Sequence, residues 1–255
     1  MTAAKVELGR HLFYDTRMSA NGKQSCASCH IQNLAFTDGK AQGEGSTGEK
    51  HPRGSMSLVN VAYASDFTWL DQGLHSLEEQ ARVPMFGVHP VELGLDPGAE
   101  KFLGIVRADP AYQTLFGEDP ITVDNIVKAL ACFERSIVSA RSPYDRYHFD
   151  RDDSAISAAA KHGEILFFST GFSCFRCHGG PNFTGRPEDT GGYKAPTLRN
   201  IAVTAPYMHD GAVKTLDEAI THHLQMTDAE RDDIAAFLRT LTDESLLHDP
   251  RFGRP

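Results

Sequence analysis

Apolar residues recur at helical spacing in two long segments of the chain. Residues 122–139 carry apolar side chains three or four positions apart, the spacing of one helix face; they are Ile126, Val127, Leu130, Phe133 and Ile137. Thr227-Asp228-Ala229-Glu230 has the spacing of a capping box, and the apolar face behind it predicts a last helix; its residues are Ile234, Phe237, Leu238 and Leu241. No segment of any length alternates with the two-residue period of a strand. The pattern therefore predicts a mostly α-helical fold.

Three sequence blocks occur twice in the same order. Residues 9–16 and 163–170 both read Gly-x-x-Leu-Phe-aromatic-x-Thr, and residues 58–62 and 198–202 both read Leu-x-Asn-apolar-Ala. Each set is followed by a helix start, where a hydroxyl can cap free backbone N–H groups and acidic residues oppose the helix dipole; the two starts are Ser76 and Thr215.

This order indicates an internal duplication, because the paired blocks lie roughly 140 to 154 residues apart. We predict an N-terminal domain at residues 1–120, a connecting helix and linker at 121–160, and a C-terminal domain of the same design at 161–255.

Two Cys-x-x-Cys-His motifs account for four of the five cysteines. In such motifs two thiols bond covalently to a haem and the histidine binds its iron. The predicted attachment residues are Cys26, Cys29 and His30 for haem 1 and Cys174, Cys177 and His178 for haem 2. A redox disulfide is one alternative for a Cys-x-x-Cys pair. One zinc shared by both motifs is another, but it would leave the two histidines unexplained. The fifth cysteine, Cys132, lies on the connecting helix and is expected to be buried and unreactive.

Composition limits the partners and the location of the protein. The 255-residue chain has a net charge of -9, and haem propionates would add negative charge, so nucleic acid and anionic membranes are poor partners. No apolar run is long enough to span a membrane, and the N-terminus lacks the apolar core of a signal peptide. Because covalent haem is assembled outside the cytoplasm, we expect a periplasmic location after removal of a secretion signal.

The group on the second face of each haem iron decides the role of that haem: a bound ligand there favours electron transfer, whereas an open position allows a small molecule to bind and react. When the two repeats are aligned on Leu77 and Leu216, Pro84 and His223 occupy the same position, seven residues further on in each helix. Proline cannot bind iron, so haem 1 would be open to a small oxidant, whereas His223 would close haem 2. Met208 is an alternative sixth ligand, and His223 could also be an ordinary surface histidine.

Two further residues are candidates for the chemistry at an open haem. Cleavage of a peroxide bond needs a group that moves a proton between the two oxygens, and Glu92 is a carboxylate in an apolar setting just past Pro84. It could equally be a partly exposed loop residue. Trp69, the only tryptophan, is either a core residue or a carrier of electrons between the haems.

Six further segments, together with the two haem motifs, carry a family resemblance over nearly the whole chain. They are residues 8–15, 51–58, 76–81, 90–94, 195–200 and 204–211. On these residues the chain resembles the bacterial di-haem cytochrome c peroxidase family, and within it the MauG-like enzymes, especially the MbnH-type branch. The resemblance implies two cytochrome-c-like helical domains, each with a covalent haem c, and a calcium ion between them.

The resemblance also implies roles for single residues. The positions that match calcium ligands are Asn60, Thr204 and Pro206, whose oxygens suit a hard cation. Glu92 matches the family's distal acid and Trp69 its inter-haem tryptophan. In classical peroxidases a histidine closes haem 1 at rest; the matching position here is Pro52, with His51 beside it. Haem 2 is closed by methionine in classical members and by tyrosine in MauG, and that position is His223 here.

The resemblance implies a periplasmic di-haem enzyme that uses hydrogen peroxide to oxidise a partner protein through a high-valent di-haem state. The implied target is an aromatic side chain such as tryptophan. One alternative is a classical cytochrome c peroxidase, which takes electrons from a small cytochrome. The other is a non-enzymatic electron carrier, against which Pro84 and Glu92 argue.

Overall fold

Helices provide most of the regular structure, as predicted. The computed structural model describes residues 1–70, 73–186, 190 and 192–255. The helices in these ranges are α1 Ala3–Tyr14, α2 Cys26–Cys29, α3 Leu77–Phe86, α4 Glu100–Ala108, α5 Pro110–Phe116, α6 Val123–Ser136, α7 Pro143–Phe149, α8 Ala158–Phe168, α9 Leu216–His223, α10 Asp228–Arg239 and α11 Glu244–Leu247. Short 3-10 turns lie at Thr16–Met18, Gln32–Leu34, Val61–Tyr63, Cys174–Arg176 and Ile201–Val203.

The predicted helix starts are confirmed. The side chains of Ser76, Thr215 and Thr227 each accept a hydrogen bond from the backbone N–H three residues on. The connecting helix α6 also begins at its predicted hydroxyl, Thr122. It ends earlier than the apolar pattern suggests, because Ile137 leaves the helical conformation while its side chain stays in the core.

β-Structure within the described ranges consists of isolated two-residue bridges. One bridge, Ile31 with Thr37, follows the first Cys-x-x-Cys-His motif, and another, Gly179 with Thr184, follows the second. Each closes a short loop directly behind a motif histidine.

Two apolar clusters form the core. The first is built around the crossing of α1 and α6 and includes Phe13 and Phe133. The second is built around α8 and α10 and includes Phe167 and Phe237. Both crossings depend on a glycine: a methyl group at Gly9 would lie 2.0 Å from the Ala129 carbonyl oxygen, and one at Gly163 would lie 1.9 Å from that of Asp233.

Ser139, which follows α6, is hydrogen-bonded to both halves of the chain. Its backbone N–H donates to Asn60 Oδ1 at 2.8 Å, and its carbonyl oxygen accepts from Asn60 Nδ2 at 3.0 Å. Its hydroxyl accepts from Asn200 Nδ2 at 3.2 Å. Asn60 and Asn200 both have positive φ, 58° and 62°, and each precedes a 3-10 turn.

In the described part of the chain, no helix is long and apolar enough to cross a membrane.

Candidate active site

The two Cys-x-x-Cys-His motifs lie in different halves of the structure. Cys26 packs against the first apolar cluster and Cys174 against the second. The motifs therefore do not share one site, as a single zinc with four thiolates would require.

Both motif histidines are held in the same way. His30 Nδ1 lies 2.8 Å from the carbonyl oxygen of Phe36, and His178 Nδ1 lies 3.3 Å from that of Phe183. A carbonyl oxygen can only accept, so Nδ1 carries the hydrogen and Nε2 has a free lone pair. Burial lowers the pKa of His30, and it lowers that of His178 to about 4. A neutral imidazole anchored through Nδ1 is the form that binds a metal, so both motifs fit a haem iron.

A cavity of about 210 Å³ lies beside the first motif. Three residues singled out from the sequence line it together: Trp69, Pro84 and Glu92. They come from separate segments, since Pro84 lies in the last turn of α3 while Trp69 and Glu92 lie in loops. The cavity also contains Cys26, Cys29 and His30 in its wall, so the structure places these candidates at one site.

Glu92 is fixed by its backbone and faces a histidine. The neighbouring Leu93 N–H donates to the Pro84 carbonyl oxygen at 2.9 Å, which ties this loop to α3. The side chain is 35% exposed, and its Oε1 lies 3.8 Å from His51 Nε2. Burial raises the pKa of Glu92, so the carboxyl group holds its proton to a higher pH than a surface glutamate does.

Gln80 and Glu134 are cavity residues with polar side chains that the sequence reasoning missed. Gln80 lies four positions before Pro84 on α3, and this helical spacing was the signal that could have found it. Glu134 on α6 is 6% exposed, and burial raises its pKa to about 8. The sequence also carried a signal for Glu134, since an acidic residue in the apolar face of a helix is unusual: glutamate is rarely buried without a partner.

Trp69 is half-buried and lies in a cluster of aromatic side chains. Its indole Nε1–H donates to the Gly54 carbonyl oxygen at 2.8 Å, and its ring centroid lies 6.5 Å from that of His209. His209 in turn stacks on Tyr193 with centroids 4.0 Å apart. The structure thus brings Trp69 into contact with a histidine from the second half of the chain.

A second histidine faces His178. The ring centroids of His178 and His223 are 6.4 Å apart. His223 Nδ1 lies 2.8 Å from the Ala219 carbonyl oxygen, so its Nε2 also has a free lone pair. This separation would allow the two ring nitrogens to bind one metal ion at about 2 Å each. Met208, the alternative ligand, packs against the second apolar cluster.

The positions that match calcium ligands are oxygen-bearing. Asn60 Oδ1 already accepts the Ser139 N–H, so a cation would share this oxygen. The Thr204 hydroxyl donates to the Ile201 carbonyl oxygen at 3.1 Å, which leaves its own carbonyl as the candidate ligand. Pro206 follows a cis peptide bond and likewise offers its carbonyl. Oxygen donors of this kind suit a hard cation.

Comparisons with known proteins agree on one family. The model of the di-haem cytochrome c peroxidases matches residues 3–154. The chain is 33% identical to the methylamine utilization protein MauG of Methylorubrum extorquens, over 96% of this chain and 80% of that protein. It is 31% identical to the cytochrome c551 peroxidase of Nitrosomonas europaea, over 95% and 81%. A solved MauG-like protein associated with microbial copper homeostasis is 34% identical, with a TM-score of 0.92 over 100% of this chain and 94% of that one.

Proposed function

Because the chain belongs to the di-haem cytochrome c peroxidase and MauG family of haem-dependent oxidoreductases, we propose that it uses hydrogen peroxide to oxidise a partner protein. The proposed target is an aromatic side chain such as tryptophan. The observation that carries the proposal is the cavity at the first motif, where Glu92 faces the site and Pro84 supplies no ligand. The solved MauG-like relative supports placement in the MbnH-like branch.

The cofactors are two covalent haems, which supply the reduction of peroxide and the storage of its two oxidising equivalents. Cys26, Cys29 and His30 hold one and Cys174, Cys177 and His178 hold the other. At the first site Pro84 lines the cavity and has no side-chain atom that can bind iron, so a haem held by His30 would be left accessible to peroxide on this side. Gln80, one helical turn away, offers an amide that can orient the bound oxidant.

The proposed role of Glu92 is to move a proton from one oxygen of peroxide to the other. Reduction of hydrogen peroxide to two waters consumes two protons and two electrons, and it requires one oxygen to gain a proton that the other has lost. Glu92 takes this proton on a carboxylate oxygen and returns it to the leaving oxygen. Burial raises the pKa of Glu92, so its carboxylate is a stronger base than that of an exposed glutamate and takes up the peroxide proton more readily.

At the second site His223 is the proposed sixth ligand, in preference to Met208. The 6.4 Å separation from His178 and the free Nε2 of both rings support this assignment. An iron with both positions filled stores and transfers electrons rather than binding peroxide. Trp69 is proposed to pass electrons between the two sites, since it lines the cavity and contacts His209.

We also propose a domain organisation, a calcium site and a cellular location for the protein. Two cytochrome-c-like domains, 1–120 and 161–255, are proposed to have arisen by duplication with residues 121–160 between them; α6 of that segment packs on α1 in the first cluster. Matched structural pairs support this: Gly9 and Gly163 at helix crossings, and Asn60 and Asn200 at 3-10 turns. A calcium ion held by Asn60, Thr204 and Pro206 and a periplasmic location complete the proposal.

A classical peroxidase is the second candidate, favoured by the 31% identity to a cytochrome c551 peroxidase. In that function a small redox protein supplies the electrons, and the first haem opens only after the second is reduced. Peroxide added to the fully oxidised protein distinguishes the two functions. We expect an immediate change in the optical and EPR spectra with no reductant present, and no change before reduction would overturn our proposal.

The same measurement tests Glu92. In Glu92→Gln the rate of the peroxide-induced spectral change should fall by at least about a hundredfold, the usual contribution of a general acid or base. The matched control is Glu118→Gln, the same substitution at an exposed loop position, which should react at the wild-type rate. An unchanged rate in Glu92→Gln would remove Glu92 from the mechanism.

A further inference from the structure

Residues 43–51, here called the strap, are fastened directly to the loop that carries Glu92. The Ser46 N–H donates to the Glu92 carbonyl oxygen at 2.7 Å, and the Ser46 hydroxyl donates to that of Leu93 at 3.0 Å. The Val91 N–H donates to Glu49 Oε2 at 3.0 Å. Gly45 allows this approach, because a methyl group there would lie 1.7 Å from the Val91 carbonyl oxygen. The strap and the Glu92 loop therefore behave as one unit.

The last residue of the strap, His51, points its ring at Glu92. Its backbone N–H donates to the Gly43 carbonyl oxygen at 2.8 Å, and its ring Nδ1 accepts the Arg53 N–H at 3.2 Å. Because Nδ1 accepts, a neutral His51 must carry its hydrogen on Nε2. Burial lowers the pKa of His51, which favours this neutral form. The hydrogen-bearing Nε2 is the atom 3.8 Å from Glu92 Oε1.

We infer that His51 is a positioning residue for Glu92: its Nε2–H donates to Oε1 and so turns Oε2 towards bound peroxide. The inference rests on the proposed function, because it assumes that Glu92 acts on peroxide. The 3.8 Å separation closes with a small side-chain movement or one bridging water, and such contacts commonly tighten when a site is filled. His51 itself neither gains nor loses a proton, since Nδ1 is occupied by Arg53.

The Nε2–H donor of His51 also affects the ionisation of Glu92. A hydrogen bond to the ionised carboxylate favours that form, and burial disfavours it. His51 therefore opposes burial and keeps part of the Glu92 population able to accept the peroxide proton. Loss of this donor should slow proton transfer without emptying the cavity or changing the iron ligands.

The test compares two amides that replace different ring nitrogens. His51→Gln places an N–H donor near the Nε2 position, whereas His51→Asn places an oxygen near Nδ1 and keeps only the acceptor for the Arg53 N–H. We expect His51→Gln to react with peroxide within about threefold of wild type, and His51→Asn to be slower by about tenfold or more. His248→Gln, on a histidine that is 71% exposed, is the matched control and should be unchanged.

Cyanide binding to the diferric protein supplies a readout independent of turnover. Hydrogen cyanide must lose its proton to bind as an anion, so its association rate should follow the same order among the variants. In the Glu92→Gln background neither His51 variant should slow either reaction further. Wild-type rates in both His51 variants, or a slow His51→Gln beside a fast His51→Asn, would overturn the inference while leaving a slow Glu92→Gln intact. An unaffected Glu92→Gln would overturn both this inference and the role of Glu92.

Discussion

Glu134 shows how burial can set the protonation of a single residue. It lies on α6 at the cavity wall, and its Oε2 is buried without a hydrogen-bond partner in the described structure. The adjacent Arg135 does not neutralise it, because that guanidinium forms two 2.7 Å hydrogen bonds with Glu78. Burial therefore raises the pKa of Glu134 to about 8, and the folded protein holds a proton that the unfolded chain has released.

This proton makes stability depend on pH. Below about pH 4.5 the carboxyl group is protonated in both states, and its burial costs least. As pH rises towards 8 the unfolded state alone ionises, so stability is lost, by an amount of the order of a few kcal/mol. Glu134→Gln cannot ionise and should unfold at a higher temperature than wild type at pH 8 but not at pH 4.5, as measured by circular dichroism. An equal shift at both pH values would contradict this account.

The residues predicted from the sequence are those with a local signal. The haem motifs are contiguous, and Pro84 emerged from a helix alignment with His223. Glu92 emerged because a charge in an apolar segment is visible locally. His51 lies 41 positions before Glu92, and its ring orientation depends on the Arg53 N–H and on the strap. No periodicity in one sequence encodes that contact, so its role could not be predicted.

At the scale of helices, the repeated Gly-x-x-Leu-Phe block has a packing explanation. Gly9 lets α1 touch the backbone of α6, and Gly163 lets α8 touch that of α10, with room for no side-chain atom at either point. The sequence showed the repetition but not its cause, because the partner helices are remote in the chain. Helix starts were easier to predict, since Ser76, Thr215 and Thr227 act on N–H groups only three residues away.

Substitutions of these glycines should separate packing from helix propensity. Gly9→Ala and Gly163→Ala place a methyl group about 2 Å from a backbone oxygen, so the helices must move apart at a cost of roughly 1–3 kcal/mol or more. Gly104→Ala, in α4 with open space around it, should instead stabilise by up to about 1 kcal/mol. Chemical denaturation of the three variants checks the sign of each change. Stabilisation by Gly9→Ala or Gly163→Ala would show that these crossings are not tight.

For the molecule as a whole, Ser139 is one of the places where hydrogen bonds join the two halves. Asn60 and Asn200 each use the whole side-chain amide: the oxygen accepts a backbone N–H, from Ser139 in one case and Asp243 in the other, and the nitrogen donates to Ser139. All these groups are buried, so removal of either amide leaves backbone groups without a partner. Such losses cost about 1–3 kcal/mol each.

Glycine is the informative replacement, because it keeps the positive φ of both positions and removes only the amide. Asn60→Gly and Asn200→Gly should each lower the unfolding temperature by several degrees, given about 2–4 °C per kcal/mol for a chain of this size. Arg151→Gly, at an exposed residue with φ of 58°, is the matched control and should be neutral or slightly stabilising.

Calcium distinguishes the two asparagines further. A ligand that binds only the folded state raises the unfolding temperature, so added calcium should stabilise the wild type if Asn60, Thr204 and Pro206 hold the ion. Asn60→Gly removes the single side-chain ligand of this proposed set and should lose most of the calcium response. Asn200→Gly should keep it, since the Asn200 amide is bonded to Ser139 and Asp243 and is not part of the proposed ligand set. An equal calcium response in both variants would place the cation away from Asn60 and leave that amide with a purely structural role between the two halves.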